Sequence, residues 1–352
     1  MQSRKRKHTA KATIDDVAEL AGVSIKTVSR VVNQEPNVRD STRAKVEEAI
    51  AKLSYRPNRS ARDLASQRSH LIALIYDDPS AYEIPSAGYV IRMQLGVLRA
   101  CRTADYELLI HPCNYRNRNI GVELKALIEH ARPVGIVLAA PLSNMPKIVQ
   151  AIEATGTPFV CLSPGRDAGD QYSVATNDRE ISAEMTRYLA SLGHKRIAFI
   201  KGHKSHKAVA NRYLGYLDGL KRSGLQFSPG LVENGDNSFE SGELAGSRLL
   251  RSRTKPTAIF AANDDMAAGV IRAADLLGIG IPNQVSVAGC DDISLARQLC
   301  PTLTTIRQPL SAMAERAALV LIGDQRHDEG AGGSQVVPAT LQIRESTGPA
   351  PG

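Results

Sequence analysis

A segment at residues 24–33 carries the short polar and basic side chains that could bind nucleic acid. Its apolar residues Val28, Val31 and Val32 recur at helical spacing and predict one buried face of a helix. The side chains left for contact with a partner are Ser24, Ile25, Lys26, Thr27, Ser29, Arg30 and Asn33. The spacing therefore predicts a helix with a polar, basic outer face.

The chemistry of that outer face fits double-stranded DNA. Lys26 and Arg30 are long donors that can reach O6 and N7 of guanine in the major groove. The short hydroxyl and amide side chains suit phosphate oxygens, which position a helix without specifying the base sequence. An ordinary helical hairpin with solvated cations is the alternative interpretation at this point.

The elements around this helix favour DNA binding. Ile14, Val17, Ala18 and Ala21 lie at i, i+3, i+4 and i+7 and predict a preceding helix, with Gly22 in the turn. Thr13 followed by Asp16 predicts a capping box at its start. A third helix is predicted up to Leu53, before Tyr55-Arg56-Pro57. Together they predict an all-α helix-turn-helix head over residues 13–57.

The excess charge lies in this part of the chain. The net charge of the 352 residues is +8. Residues 1–70 hold 15 basic and 8 acidic residues, whereas the rest holds 29 and 28. A basic head on a near-neutral body indicates a polyanionic partner for the head alone. Residues 1–12 are predicted to be a basic disordered arm.

Several other classes of protein are excluded or disfavoured. No apolar run is long enough for a transmembrane helix, and no secretory signal is recognisable. Five widely spaced cysteines without a CxxC motif favour the reducing cytoplasm. No catalytic motif is recognisable, so neither an enzyme nor a cofactor is expected. His203 and His206 lie among lysines, which favours a cationic loop over a metal site.

The pattern of apolar residues changes at Leu71. Short apolar segments alternate with helical patterns up to about residue 299, which predicts parallel sheets with helices on both faces. The number of repeating units predicts two α/β subdomains. Residues 323–334 are predicted to form a surface loop, and the tail after Ser346 is predicted to be frayed.

Several motifs in this order resemble the lac repressor family of bacterial transcription regulators. They are TIDDVAELAGVSIKTVSRVVN (13–33), YRPNRSARDLA (55–65), NDDMAAGV (263–270), VSVAGCDDI (285–293), PTLTTIRQP (301–309) and RESTGP (344–349). The resemblance covers nearly the whole chain. It implies a cytoplasmic homodimer that reads a pseudo-palindromic operator, each subunit binding one half-site.

The resemblance also implies a role for residues 58–68. In the family this linker forms a hinge helix in the minor groove, where a leucine wedges between base pairs. Leu64 matches that leucine, and Asn58, Arg59 and Ala61 match neighbouring contact positions. An inserted apolar side chain unstacks a base step and bends DNA onto more protein surface.

For the body, the resemblance implies a periplasmic-binding-protein-like fold of two doubly wound parallel-sheet subdomains with an allosteric effector between them. The predicted subdomains are 71–174 with 306–336, and 175–303 with 337–346, followed by the tail 347–352. Arg212 and Asp291 match the effector-contacting arginine and aspartate of the family. Asn263 and Asp264 begin a family block at the cleft edge, and Ser163 stands where some members place a ligand-binding acid. Thr176 and Asn177 follow the next predicted strand and are expected to line the cleft. Arginine only donates and aspartate only accepts, so the pair suits vicinal hydroxyls.

Two departures from the family pattern bear on the effector. Cys290 stands where members often have an aromatic residue, and Ser163 stands where some have an acid. The tyrosine-rich connection at 76–89 either supplies an aromatic residue, Tyr82 or Tyr89, or is a plain surface loop. The effector is therefore expected to be a sugar, a glycoside or another sugar derivative.

The sequence predicts a repressor of carbohydrate-utilisation genes and leaves other functions open. A purine-type corepressor-dependent regulator or an activator would have the same domains. A solute-binding protein shares the fold of the body, but the basic head disfavours it. An enzyme with a DNA-binding head would need a catalytic constellation. The tail lacks leucine heptads, which favours a dimer over a tetramer.

Overall fold

The computed structural model describes residues 12–32, 35, 37–55, 69–77, 87–165, 171–323 and 333–352. The chain divides into two compact units, Met1–Arg68 and Ser69–Gly352. Each unit has its own hydrophobic core.

The first unit contains the three predicted helices. They are α1 (Ile14–Ala21), α2 (Ile25–Val32) and α3 (Asp40–Leu53). The predicted capping box is present, since Thr13 and Asp16 bond each other's backbone N–H groups. Gly22 has φ 65°, the left-handed conformation that a tight turn needs. Val17, Val28 and Val46, one from each helix, are fully buried and hold the three helices together.

The second unit contains two sheets of six strands each. The first sheet holds β1 (Leu71–Asp77), β2 (Glu107–Cys113), β3 (Gly135–Leu138), β4 (Phe159–Leu162), β5 (Ser173–Ala175) and β11 (Ser334–Val336). The second sheet holds β6 (Ile197–Lys201), β7 (Val232–Asn234), β8 (Ala258–Ala261), β9 (Ser286–Asp291), β10 (Thr304–Arg307) and β12 (Thr340–Gln342). We call the parts built on these sheets the first and second lobes.

Helices connect the strands and cover the sheets. They are α4 (Ala87–Thr103), α5 (Ile120–Ala131), α6 (Pro146–Glu153), α7 (Asp178–Ser191), α8 (Lys207–Arg222), α9 (Phe239–Arg251), α10 (Asp264–Leu276), α11 (Leu295–Gln298) and α12 (Leu310–Gly323). The strand orders are β11-β5-β4-β3-β1-β2 and β12-β10-β9-β8-β6-β7. Within the described residues all pairings are parallel except β10 with β12. The predicted doubly wound architecture is therefore confirmed.

Strands with helices on both faces are buried on both sides, which explains their sequences. All four residues of β3, β4 and β8 are buried, and all six of β9. Such strands show continuous apolar segments instead of alternation. This is why short apolar segments were sufficient to predict them.

In the part of the chain that the structure describes, three crossings connect the lobes, after β5, after β10 and after β11. Two predicted boundaries need correction. Ala175 belongs to β5 of the first lobe, and Ile306 and Arg307 belong to β10 of the second lobe. Pairing decides both cases, because β5 lies against β4 and β10 lies against β9.

The predicted fraying of the tail after Ser346 is wrong. Ser346 is fully buried and donates to the carbonyl of Val287. The Gly348 carbonyl is bonded by the ring of His194, and the Ala350 N–H donates to Leu192. These contacts keep the tail on the second lobe as far as residue 350.

Among the described residues, no helix is both long enough and apolar enough to cross a membrane.

Candidate functional site

A cleft in the second unit lies where strands of both sheets end. From the first lobe it is lined by residues after β1, β2 and β3 and by the start of α4, including Tyr76, Tyr89, Tyr115, Arg116 and Pro141. From the second lobe it is lined by residues after β6 to β9, including His203, His206, Arg212, Asn237, Asn263 and Asp291. Carboxyl ends of parallel strands are where open α/β sheets bind ligands.

Arg212 is the central charged group of the cleft. Its Nε donates to Asp178 Oδ1 at 2.8 Å, and its Nη1 donates to the Ala262 carbonyl at 2.5 Å. Nη1 also lies 3.6 Å from Asp291 Oδ1. Although burial opposes a charge here, the neighbouring carboxylates hold the pKa of Arg212 above its ordinary range. Arg212 is therefore a fixed cation, which presents donors to the cleft.

Asp291 is the matching acceptor. Burial raises its pKa to about 6, against the attraction of Arg212 and a hydrogen bond from Gln308. Its φ of 126° is in the region that favours glycine. Such a conformation persists only where surrounding contacts hold it, and it is concentrated at functional sites.

The next residue, Asp292, holds this strained segment in place. Its carboxylate is fully buried and accepts from Arg297 at 3.2 Å, Arg307 at 2.6 Å and Arg344 at 2.5 Å. Burial opposes its charge, but these hydrogen bonds lower the pKa of Asp292. Asp292 is therefore a structural anion behind the cleft.

Other predicted effector residues occupy different positions. Asn263 lines the cleft, caps α10 by accepting from Met266 N and donates to the Asn237 carbonyl at 2.9 Å. Asp264 is fully buried, is not among the residues that line the cleft, and accepts from Thr305 Oγ1 and from Ile293 N.

The remaining predicted effector residues are Tyr89, Ser163 and Thr176. Tyr89 lies in α4. It lines the cleft, and burial raises the pKa of its hydroxyl. Ser163 itself is buried, with φ 49°. Thr176 lies in a separate polar depression beside Asn177 and Arg179. Of the predicted residues, the cleft thus brings together Arg212, Asp291, Asn263 and Tyr89; Tyr82 lies outside the described residues.

Sequence reasoning missed His203 and His206. The lysines beside them predict a cationic loop, whereas both histidines line the cleft. Burial lowers the pKa of His206 to about 4, and burial with the nearby Arg116 lowers that of His203. The rings of His203 and Tyr115 approach within 6.2 Å from opposite lobes. Both histidines are therefore neutral ring groups at neutral pH, available for hydrogen bonds to a ligand.

The second candidate surface is helix α2 of the first unit. Ser24 caps the helix by accepting from Thr27 N at 3.2 Å, and the two hydroxyls bond each other at 2.9 Å. Ile25 and Lys26 are exposed, and Ser29 is half-buried. Arg30 lies 3.6 Å from Glu35 and is partly exposed. The buried face of α2 is formed by Val28 and Val31, and the outer face carries Ile25, Lys26 and Arg30. A helix that reads DNA needs such an accessible polar face.

The remaining predicted DNA contacts lie outside the described residues. They are Asn33, Asn58, Arg59, Ala61 and Leu64. They remain predictions. Among the residues that the structure does describe, no group of histidine, cysteine and acidic side chains could hold a metal ion.

Comparison with known proteins identifies both parts of the chain. A family model for bacterial regulatory proteins of the lacI family matches residues 13–58, and one for a periplasmic binding protein-like domain matches residues 186–347. The ribose operon repressor of Escherichia coli (strain K12) is 34% identical over 88% of this chain and 92% of its own length. The probable HTH-type transcriptional repressor ExuR of Bacillus subtilis (strain 168) is 31% identical over 88% and 90%.

Solved structures of transcription regulators are also similar to this chain over nearly its whole length. The lac repressor dimer bound to operator and the anti-inducer ONPF has a TM-score of 0.81 and 28% identity, covering 96% of this chain and 100% of that chain. The complex of the transcriptional regulator CelR with cellobiose has a TM-score of 0.71 and 28% identity, covering 95% and 99%.

A helix-turn-helix head on a two-lobed body with a polar cleft defines a DNA-binding transcription regulator that responds to a small molecule. The chain belongs to the lacI family of bacterial regulatory proteins.

Proposed function

We propose that this protein is a repressor of carbohydrate-utilisation genes whose operator affinity is switched by a sugar or sugar derivative in the cleft. It acts in the cytoplasm as a homodimer on a pseudo-palindromic operator, and it leaves its effector chemically unchanged. The observation that carries this proposal is the pairing of Arg212 with Asp291 at the cleft, 3.6 Å apart.

The chemistry of the cleft favours a polyhydroxylated effector. Arg212 only donates hydrogen bonds and ionised Asp291 only accepts them, so a pair of neighbouring hydroxyls satisfies both. Amides of Asn237 and Asn263 and the ring of Tyr115 line the same cleft. A few fixed polar groups beside aromatic surface are typical of small-molecule sites. The relatives named for ribose and cellobiose agree with this class of ligand.

The proposed mechanism couples two binding sites. An effector that contacts both lobes favours one relative orientation of the lobes, and that orientation changes DNA affinity. The effector can shift the equilibrium only by the difference in its affinity for the two states. DNA must change effector affinity by the same factor, typically about 5- to 150-fold.

The test is fluorescence anisotropy of the purified protein on DNA from upstream of its own and adjacent genes. Salt is held fixed, because DNA affinity depends steeply on it. Ribose, galactose, cellobiose, uronates, sugar phosphates and purines are added in turn. Release of DNA by a sugar is the expected result, with the sugar recovered unchanged.

Other outcomes contradict parts of the proposal. Tighter DNA binding with one compound would establish the corepressor-dependent alternative. Chemical conversion of the compound would establish an enzyme. Binding of a sugar without specific DNA binding would favour a solute-binding protein.

A further inference from the structure

Arg92 links the two lobes at the backbone of Asp291. It lies in α4 of the first lobe, and its Nη1 donates to the Asp291 carbonyl oxygen at 3.1 Å. Asp291 ends β9 of the second lobe and lines the cleft with its carboxylate. One residue of the cleft thus presents its side chain to a ligand and its carbonyl to the opposite lobe.

On the first-lobe side, Arg92 is held rigidly. Its own carbonyl accepts from Ser311 Oγ of α12 at 2.9 Å. One turn further along α4, a Cβ on Gly96 would meet the Ser311 carbonyl oxygen at 2.1 Å, so only glycine allows this approach. Helices α4 and α12 therefore lie in direct backbone contact, and a displacement of Arg92 moves them together.

On the second-lobe side, the bonded carbonyl sits in strained backbone. Asp291 and Asp292 have φ values of 126° and 52°, both in the region that favours glycine. Gln308 donates to the Asp291 carboxylate just where the chain crosses to α12. Strained conformations of this kind are concentrated at ligand-binding and switch regions.

From these contacts we infer that Arg92 is the positioning residue that transmits the state of Asp291 to the first lobe. A ligand on the Asp291 carboxylate shifts the strained backbone, and the hydrogen bond to Arg92 passes the shift to α4. The first lobe begins at Ser69, and in the proposed function the orientation of the lobes sets DNA affinity. This inference rests on the proposed function.

The test compares Arg92→Met with the wild-type protein. Methionine keeps much of the apolar stem and removes every donor. Affinity for ribose, galactose and cellobiose is measured by calorimetry on the full chain, with and without the upstream DNA. The ratio of the two dissociation constants is the coupling. We expect the ratio in Arg92→Met to move toward one by at least about threefold, with little change in sugar affinity without DNA.

Two variants make the result specific. Arg99→Met changes an exposed arginine on the same helix and should leave the coupling unchanged. Arg92→Lys keeps a hydrogen-bond donor and should retain part of the coupling that Arg92→Met loses. An unchanged ratio in Arg92→Met would overturn the inference, as would an equal loss of sugar affinity with and without DNA. Wild-type protein without coupling would instead overturn the proposed function.

Hydrogen exchange gives a readout that needs no sugar. In the unliganded protein, Arg92→Met should speed amide exchange around Asp291 and Asp292 and at the start of α4, while β6 and β8 keep their protection. If amide exchange in Arg92→Met is the same as in Arg99→Met at every position, the hydrogen bond from Arg92 to Asp291 does not hold the lobes together. That result would overturn the inference.

Discussion

Arg212 and Asp178 form a buried ion pair, with Nε and Oδ1 2.8 Å apart and each side chain only 6% exposed. Asp178 begins α7 directly after the first crossing between the lobes, and Arg212 lies in α8. Burial raises the pKa of Asp178, and Arg212 opposes that rise. The pair therefore couples the stability of the second lobe to the group proposed to contact the effector.

Replacement of Arg212 by methionine should lower both stability and function. It leaves Asp178 and Asp291 buried without their cation, which typically costs about 3–5 kcal/mol of unfolding free energy. Urea denaturation of the full chain measures the loss, and calorimetry should show no sugar binding.

The matched control is Arg179→Met in the same lobe. Arg179 pairs with Asp218 at 2.5 Å, but its side chain is 40% exposed. Such exposed pairs contribute little to stability, because water screens them. Equal losses in the two variants would contradict the assignment of Arg212 as a buried, structurally required cation.

Asp291 should make stability and effector binding depend on pH. Its pKa is raised by burial from 3.8 to about 6, so between these values the native state holds a proton that the unfolded state has released. Its contribution to stability therefore falls as pH rises from about 4 to about 6. Sugar affinity should rise over the same range, because the ionised carboxylate is the better acceptor.

The variant Asp291→Asn tests this pH dependence of stability, and His206→Gln is a control whose pH dependence should have the opposite sign. The unfolding free energy of Asp291→Asn minus that of wild type should increase from pH 4 to pH 6. His206 has a pKa lowered by burial from 6.5 to about 4, so the same difference for His206→Gln should decrease. Denaturation curves at several pH values give both slopes. Parallel slopes for the two variants would show that the assignments are wrong.

Local patterns predicted the head well, because its folding is decided by neighbours in sequence. Thr13 and Asp16 cap α1, and Gly22 ends it, within ten residues of one another. Arg212 and Asp291 were found through the family resemblance, since nothing in their immediate sequence marks them as partners.

What sequence reasoning missed depends on contacts between distant residues. The lysines around His203 and His206 predicted positive charge, whereas burial in the cleft keeps both rings neutral. Asp264 is predicted at the edge of the cleft, but its carboxylate accepts a hydrogen bond from Thr305, 41 residues away. The ordered tail depends on His194, which no local pattern connects with Gly348.

Asp292 should be required for the fold of the second lobe. Three arginines converge on its buried carboxylate, and two of them, Arg307 and Arg344, come from β10 and from the segment after β12. Asp292→Asn removes the charge but keeps the volume. The unfolding free energy should fall by about 1–3 kcal/mol, because Arg297 and Arg307 are partly exposed and water screens their pairs.

The pH dependence of Asp292 has the ordinary sign for a paired acid. Its pKa is lowered, so its stabilisation is present above the ordinary value of 3.8 and is lost as pH falls through the lowered value. The loss in Asp292→Asn should therefore be full at pH 7 and shrink toward acid pH. Urea denaturation at pH 7 and at steps from pH 4 down to about pH 2 measures both. A loss below about 1 kcal/mol at pH 7 would mean that the arginines find equivalent partners in water.

Lys26 should contribute to base discrimination and little to stability. It is exposed on α2, so Lys26→Ala removes no buried contact and should leave the melting of the head unchanged. If Lys26 donates to a guanine, its loss should relax discrimination at one base pair by about 1–3 kcal/mol. Anisotropy on DNAs with single base changes measures this position by position.

Lys52→Ala is the control, since Lys52 is exposed in α3 and pairs with Glu48 at 2.7 Å. Equal weakening of every DNA by Lys26→Ala would instead make Lys26 a phosphate contact, whose loss lowers affinity uniformly and reduces the salt dependence.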